Sequence, residues 1–134
     1  MMKMNQYSKI LLRFSAIFAL VGAFLGSHMA GAGSMAFRPI HAHILVVGWL
    51  TLFAWAVYYK VFYKKTSKLA ATQVATGIIG AIGLTVGMWL QYLQPFNIND
   101  VFSLIFYIVG GSILLISFVL FMLLTFMQQE EHTD

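Results

Sequence analysis

Cysteine is absent from the 134-residue chain, and charge is scarce: 9% of the residues are Asp, Glu, Lys or Arg, with only four acidic ones. Without cysteine there can be no disulfide staple, thiolate zinc site, iron–sulfur cluster or thiol nucleophile. Soluble domains carry about 25% charged residues, so this little charge argues against an ordinary soluble fold. What the chain has in abundance is apolar surface, with 60% hydrophobic residues and a mean hydropathy of +0.84. That excludes a disordered chain, which needs low hydrophobicity and high net charge.

Crossing a bilayer takes about 20 mostly apolar residues. Four such runs are present, at about 10–30, 39–63, 69–93 and 101–127. The expected fold is an all-α membrane protein, a single four-helix transmembrane domain over 1–134. Gly31-Ala32-Gly33-Ser34 precedes Arg38-Pro39, where proline suits a first helical turn. Lys64-Lys65-Thr66-Ser67-Lys68 separates the second and third runs. The third break is Pro95 to Asp100, with Asp100 the expected N-cap. Short connections make sequence neighbours antiparallel neighbours in space.

Seven of the eight basic residues (Lys3, Lys9, Arg13, Lys60, Lys64, Lys65, Lys68) fall on the side of the N-terminus and second loop, and only Arg38 on the other. The positive-inside rule then predicts both termini in the cytoplasm. The basic balance reads as topology and affinity for anionic lipid. No run interleaves basic and aromatic residues as a nucleic-acid groove would, so the expected partners are membrane lipid and other proteins. Lys3, Lys9 and Arg13 before an apolar run ending in Met29-Ala30-Gly31-Ala32 also resemble a signal peptide; the run is read as a membrane helix. Gly22, Gly26 and Ala30 on the first helix, and Gly80, Gly83 and Gly87 on the third, form small-residue stripes that let backbones approach.

Ionisable groups within membrane spans point to function. His132 belongs to a polar tail, and His28 lies near the expected outer end of the first helix. His41 and His43 sit one turn inside the second, where an unpartnered imidazole would cost several kcal/mol. At about 100° per residue they diverge by about 200° at almost the same depth, so they serve two sites and not one metal. Leu45, Gly48 and Leu52 continue the His41 face, with Gly48 expected to leave bare backbone for a flat ring. Val47, Leu50 and Ala54 continue the His43 face as an apolar wall. Haem suits such a setting, with Arg38 placed to pair with a propionate. Spacing alone also leaves open another metal, or histidines bonded only to carbonyls or water.

The aromatics Tyr58, Tyr59, Phe62 and Tyr63 read as an interfacial belt. Trp49, Trp55 and Trp89 are expected in packing, with Trp49 a further candidate beside a cofactor. Gln91 and Gln94 are expected to face water or a propionate.

Arg38-Pro39-Ile40-His41 before an apolar helix resembles the second helix of the catalytic subunit of haem–copper oxidases, nearest the branch with C-type oxidases and nitric oxide reductases. There an R-P-x-H stretch carries an axial histidine of the low-spin haem. More closely, the chain resembles short bacterial oxidase subunit I-like proteins, whose P-x-H-A-H followed by G-W is matched by Pro39, His41, Ala42, His43, Gly48 and Trp49. The resemblance implies one arc of a fold with twelve helices in three arcs, and location in the bacterial cytoplasmic (inner) membrane. It implies haem b, one per chain, with His41 and His43 as axial ligands. Because four helices make one arc, it further implies a homotrimer holding each haem between His41 of one protomer and His43 of the next. The family's adjacent His-His copper ligands, its H-x-x-x-Y arrangement and its intramembrane glutamate are missing, so neither copper nor independent oxygen reduction is expected. Electron transfer, with a redox protein or quinol as donor or acceptor, is the leading expectation. A gas-binding haem protein, a non-catalytic subunit of a respiratory complex, and a copper or zinc site built from His28, His41 and His43 are the alternatives.

Overall fold

A computed structural model of the protein describes residues 4–129, with side chains over 6–128; Lys3 and His132 lie outside the described residues. Four long helices account for most of them: α1, Met4–Ala32; α2, Arg38–Val61; α3, Lys68–Leu93; and α4, Asp100–Gln129. All four are long and apolar enough to cross a membrane. Helix α1 starts well before its apolar run. Once nucleated, a helix extends by one hydrogen bond per residue whatever its hydropathy, so the apolar run marks a span and not a helix end.

Pro39 falls in the first turn of α2, as expected. Ser67 caps α3, its hydroxyl accepting from the Ala70 N–H at 3.0 Å. Asp100 is not the cap of α4. Asn99 takes that role, its Oδ1 accepting from the Val101 N–H at 2.8 Å. Left-handed backbone at Gln94 (φ 43°) and Asn97 (φ 53°) shapes the 94–99 turn. Asp100 instead accepts from Gln94 Nε2 at 2.5 Å, its charge close to the positive helix end.

Helix α2 is not regular throughout. Its ends, Arg38–His43 and Leu52–Val61, are α-helical, but the eight residues Ile44–Thr51 form a π-helix. The Thr51 hydroxyl donates to the Val46 carbonyl five residues back, at 2.8 Å, reinforcing the wider turn. The uniform 100° spacing of the sequence reading therefore ends at His43.

Helices α3 and α4 pack with their backbones in contact along the stripe seen in the sequence. A Cβ on Gly80 would lie 2.5 Å from the Leu114 nitrogen, and one on Gly87 2.5 Å from Tyr107 Cα. Gly83 faces Gly110, where a Cβ would collide with the Gly83 carbonyl group. Unlike in a soluble bundle, apolar side chains cover the outer surface as well as the core. Val101, Ile105, Ile108 and Leu115 of α4 are exposed, while Gln73, Ser103 and Ser117 are buried. Gln73 and Ser117 form a satisfied network with Tyr59, as hydrocarbon requires, whereas the hydroxyl of buried Tyr7 has no partner among the described residues. Tyr59 donates to Gln73 Oε1 at 2.8 Å, Gln73 Nε2 donates to Ser117 at 3.2 Å, and Ser117 donates to the Gln73 carbonyl at 2.8 Å.

The belt reading of the tyrosines is thereby corrected. Tyr59 and Tyr63 are buried, and only Phe62 is largely exposed at 60%. Tyr63 shares a hydrogen bond with Ser67 at 2.7 Å, and Tyr58 donates to Gln128 at 2.7 Å. These bonds draw the ring ends inward and join α2 to α3 and α4.

The seam sets up a paired test. Gly110→Ala should destabilise the protein by about 1–3 kcal/mol through overpacking. Gly111→Ala should be near neutral, since its Cβ would meet only Leu84 Cδ1 at 3.4 Å. Unfolding in detergent, followed by circular dichroism, separates the two.

Candidate functional site

The candidate site is the first turn and a half of α2, where Pro39, needing no N–H partner, lets the chain enter the helix directly. The His41 N–H donates to the Phe37 carbonyl at 2.8 Å, fixing this turn. From it the His41 side chain leans onto α1. Its ring occupies the gap left by Gly26, where a Cβ would stand 3.0 Å from Cε1 and 3.6 Å from Nε2. One turn earlier, the Gly22 carbonyl lies 2.8 Å from His41 Nδ1. A carbonyl only accepts, so Nδ1 carries the proton and donates it. In neutral imidazole, Nε2 is then the nitrogen with the open lone pair.

His43 reaches the same state by a different route. Its Nδ1 donates to the carbonyl of Pro39, one turn back on its own helix, at 2.8 Å. Among the described residues neither Nε2 has a hydrogen-bond partner. Metal-ligating histidines commonly donate their second ring N–H to a carbonyl or carboxylate, which fixes the tautomer and raises the basicity of the ligating nitrogen. The sequence alternative of rings bonded to carbonyls is thus realised, but it uses one nitrogen of each.

The faces around the pair also differ from expectation. Gly48 is buried, but the flat ring lying on it is that of Phe18 from α1. Leu45 packs onto Gly22, so the His41 face of α2 is turned towards α1. Along the His43 side, Leu50 is 49% exposed, and Trp49 and Ala54 are also open. Arg38 is exposed at the start of the helix. His28 is exposed as well, its ring edge-on to Phe37 at 6.0 Å. His28, His41 and His43 form no group of three metal ligands among the described residues. Gln91 accepts from Ser103 at 2.7 Å and Gln94 donates to Asp100, so both glutamines brace the turn between α3 and α4. Trp55 is buried edge-on to Phe118 at 5.0 Å, in packing as expected.

Sequence reasoning missed an apolar cleft of about 450 Å³ between α1, α2 and α3. It is walled by residues such as Phe18, Ile40, Ile44 and Trp89, with Thr85 the hydroxyl in its lining. The histidines are not in its wall. It also missed the acceptor for His41. The four-residue spacing of Gly22, Gly26 and Ala30 signalled a close approach, but not that the approaching group is an imidazole.

Compared with family models, curated proteins and solved structures, the chain finds no match in any of the three.

The tautomer assignment is open to measurement. Nitrogen-15 spectra of labelled protein in detergent should show a proton on Nδ1 of both histidines, hydrogen-bonded to a carbonyl. Gly26→Leu fills the gap under the His41 ring and should abolish the Nδ1–Gly22 signature while leaving that of His43 intact. An unchanged His41 signal would show that the ring does not depend on the gap.

Proposed function

We infer that this is a multi-pass membrane protein binding haem b, with electron transfer as its task. One observation carries the reading: His41 and His43 are both pinned through Nδ1, and both keep Nε2 open. The donor set fits haem iron, which takes axial imidazole. The covering of Gly48 by Phe18 leaves no flat bed inside one protomer, so the haem belongs at a boundary between protomers.

Three chains form a ring in which each haem is held by His41 of one protomer and His43 of the next. A single four-helix unit leaves half-buried imidazoles against lipid, which hydrocarbon penalises, and closed threefold symmetry removes that cost. Within this arrangement Arg38 pairs with a propionate, and Trp49 and Leu50 shield the edge of the site from lipid. A bis-imidazole haem, when bound, supplies a one-electron couple with no open coordination position. Absence of the adjacent histidines and intramembrane carboxylate of the oxidases supports transfer of electrons to or from a redox protein or quinol, not oxygen reduction by this chain alone. The asymmetry of basic residues supports a bacterial inner-membrane protein with both termini in the cytoplasm. The same carbonyl bonds also hold the two rings in place, through one nitrogen each, without any ligand. This favours, as a second reading, a haem-free interaction subunit of a respiratory complex.

An optical spectrum of protein purified after haem supplementation separates these readings. Bis-imidazole haem gives a sharp Soret band and resolved visible bands on reduction, at one haem per chain. Either His41→Ala or His43→Ala should remove one axial ligand from every site, and co-expressing the two variants should restore some six-coordinate haem. If one variant alone keeps a full six-coordinate spectrum, the shared-ligand trimer is wrong. No haem after supplementation leaves the interaction subunit, and a five-coordinate site marks a gas-binding protein.

Topology has its own test. A reporter fused after Asp134 should be active only in the cytoplasm, and periplasmic activity would reverse the assignment.

A further inference from the structure

The opposite end of the bundle from the histidines holds a second cavity. The connection 62–67, the start of α3 and the last turns of α4 enclose about 340 Å³. Its lining is two-sided in chemistry. Lys64, Lys65 and Thr66 provide cationic and hydroxyl groups, whereas Leu69, Leu124 and Met127 provide an apolar wall. The walls are tied together. Gln128 accepts from Tyr58 and donates to the Phe62 carbonyl, which fastens the end of α4 to the end of α2. Tyr63 and Ser67 are mutually hydrogen-bonded, and Ser67 also caps α3.

We propose that this cavity is a binding site for one anionic phospholipid, with its phosphate headgroup at Lys64 and Lys65 and the root of its acyl chains on Leu69, Leu124 and Met127. The argument is charge complementarity combined with position. Helices that cross a bilayer end at its headgroup layer, and basic pockets between such ends on the cytoplasmic side take anionic headgroups. A soluble anion would use the lysines but gain nothing from the apolar wall. A zwitterionic lipid would use the wall but bring no net charge. The anionic lipid uses both. Bound there, it bridges α2, α3 and α4 and stabilises the folded state by mass action, because the unfolded chain has no such pocket. The inference rests on the four helices crossing a bilayer and on the proposed cytoplasmic placement of this end, and is independent of haem.

The test uses the full chain in detergent micelles doped with phosphatidylglycerol or phosphatidylcholine, read by native mass spectrometry and thermal unfolding. One phosphatidylglycerol should be retained preferentially per chain and should raise the melting temperature; phosphatidylcholine should not. Each lysine near a headgroup contributes roughly a fivefold effect on affinity. Lys64→Ser/Lys65→Ser should therefore lower phosphatidylglycerol retention by roughly 25-fold, without changing the melting temperature in phosphatidylcholine. Lys9→Ser/Arg13→Ser removes the same net charge outside the cavity and should change retention less than about twofold. Equal losses in the two double variants would mean diffuse surface attraction and overturn the site. So would equal retention of both lipids. Displacement of the lipid by millimolar inorganic phosphate would assign the site to a free anion.

Discussion

Hydrocarbon offers no hydrogen bonds, and the bond from His41 to the Gly22 carbonyl follows directly from that constraint. An imidazole one turn inside a long apolar helix must find an acceptor within the protein. The nearest is a helix carbonyl, reachable only where the facing helix has no side chain. Gly26 provides the opening, Gly22 the acceptor, and Phe18 the ring that closes over Gly48 below. The pairing of α1 with α2 thus carries one polar contact at its histidine end, while most of its packing lies further along α2, towards Tyr59, where Tyr7 packs against that ring. The pairing of α3 with α4 is organised around glycine backbones that touch.

The same demand accounts for much of the remaining polar interior. Gln73 is buried between Tyr59 and Ser117, using its side-chain oxygen, side-chain nitrogen and backbone carbonyl. Ser15 and Thr85 return their hydroxyls to carbonyls of their own helices, Leu12 and Ala81. Two departures from this economy stand out among the described residues: the hydroxyl of buried Tyr7 has no partner, and neither has Nε2 of half-buried His41 or His43. An exception of that kind in a membrane span is where function is sought.

The helices and the breaks between them were legible because hydropathy reports directly on solvent, and in this chain few polar residues interrupt the apolar runs. The glycine seam was legible because small residues at helical spacing have few other uses in a membrane. The tyrosines were misread for a related reason. Position at the end of an apolar run places a ring near the interface, but does not say whether it turns to lipid or inward. Gln73 and Ser67, which turn Tyr59 and Tyr63 inward, lie on another helix and in a turn. The choice of Asn99 over Asp100 as cap depended on two left-handed residues in the preceding turn, which propensity does not mark. At the candidate site, residue identity was legible from spacing, while ring orientation, tautomer and the filling of Gly48 were not. Those depend on which side chains of α1 and α2 enter the gaps of the facing helix, and the small-residue stripe of α1 marks the approach without naming them.

The π-helical stretch bears on how this chain should be aligned with others. A wide turn takes up more residues per revolution than an α-turn, so α2 runs about one residue out of phase between its histidine end and the end anchored by Leu52, Trp55 and Tyr59. A related protein with a purely α-helical second span and the same buried anchors would need its histidines one position nearer those anchors to aim them alike. Kinship between two such chains would be concealed by any ungapped alignment through the helix, and a single-residue gap within 44–51 would reveal it.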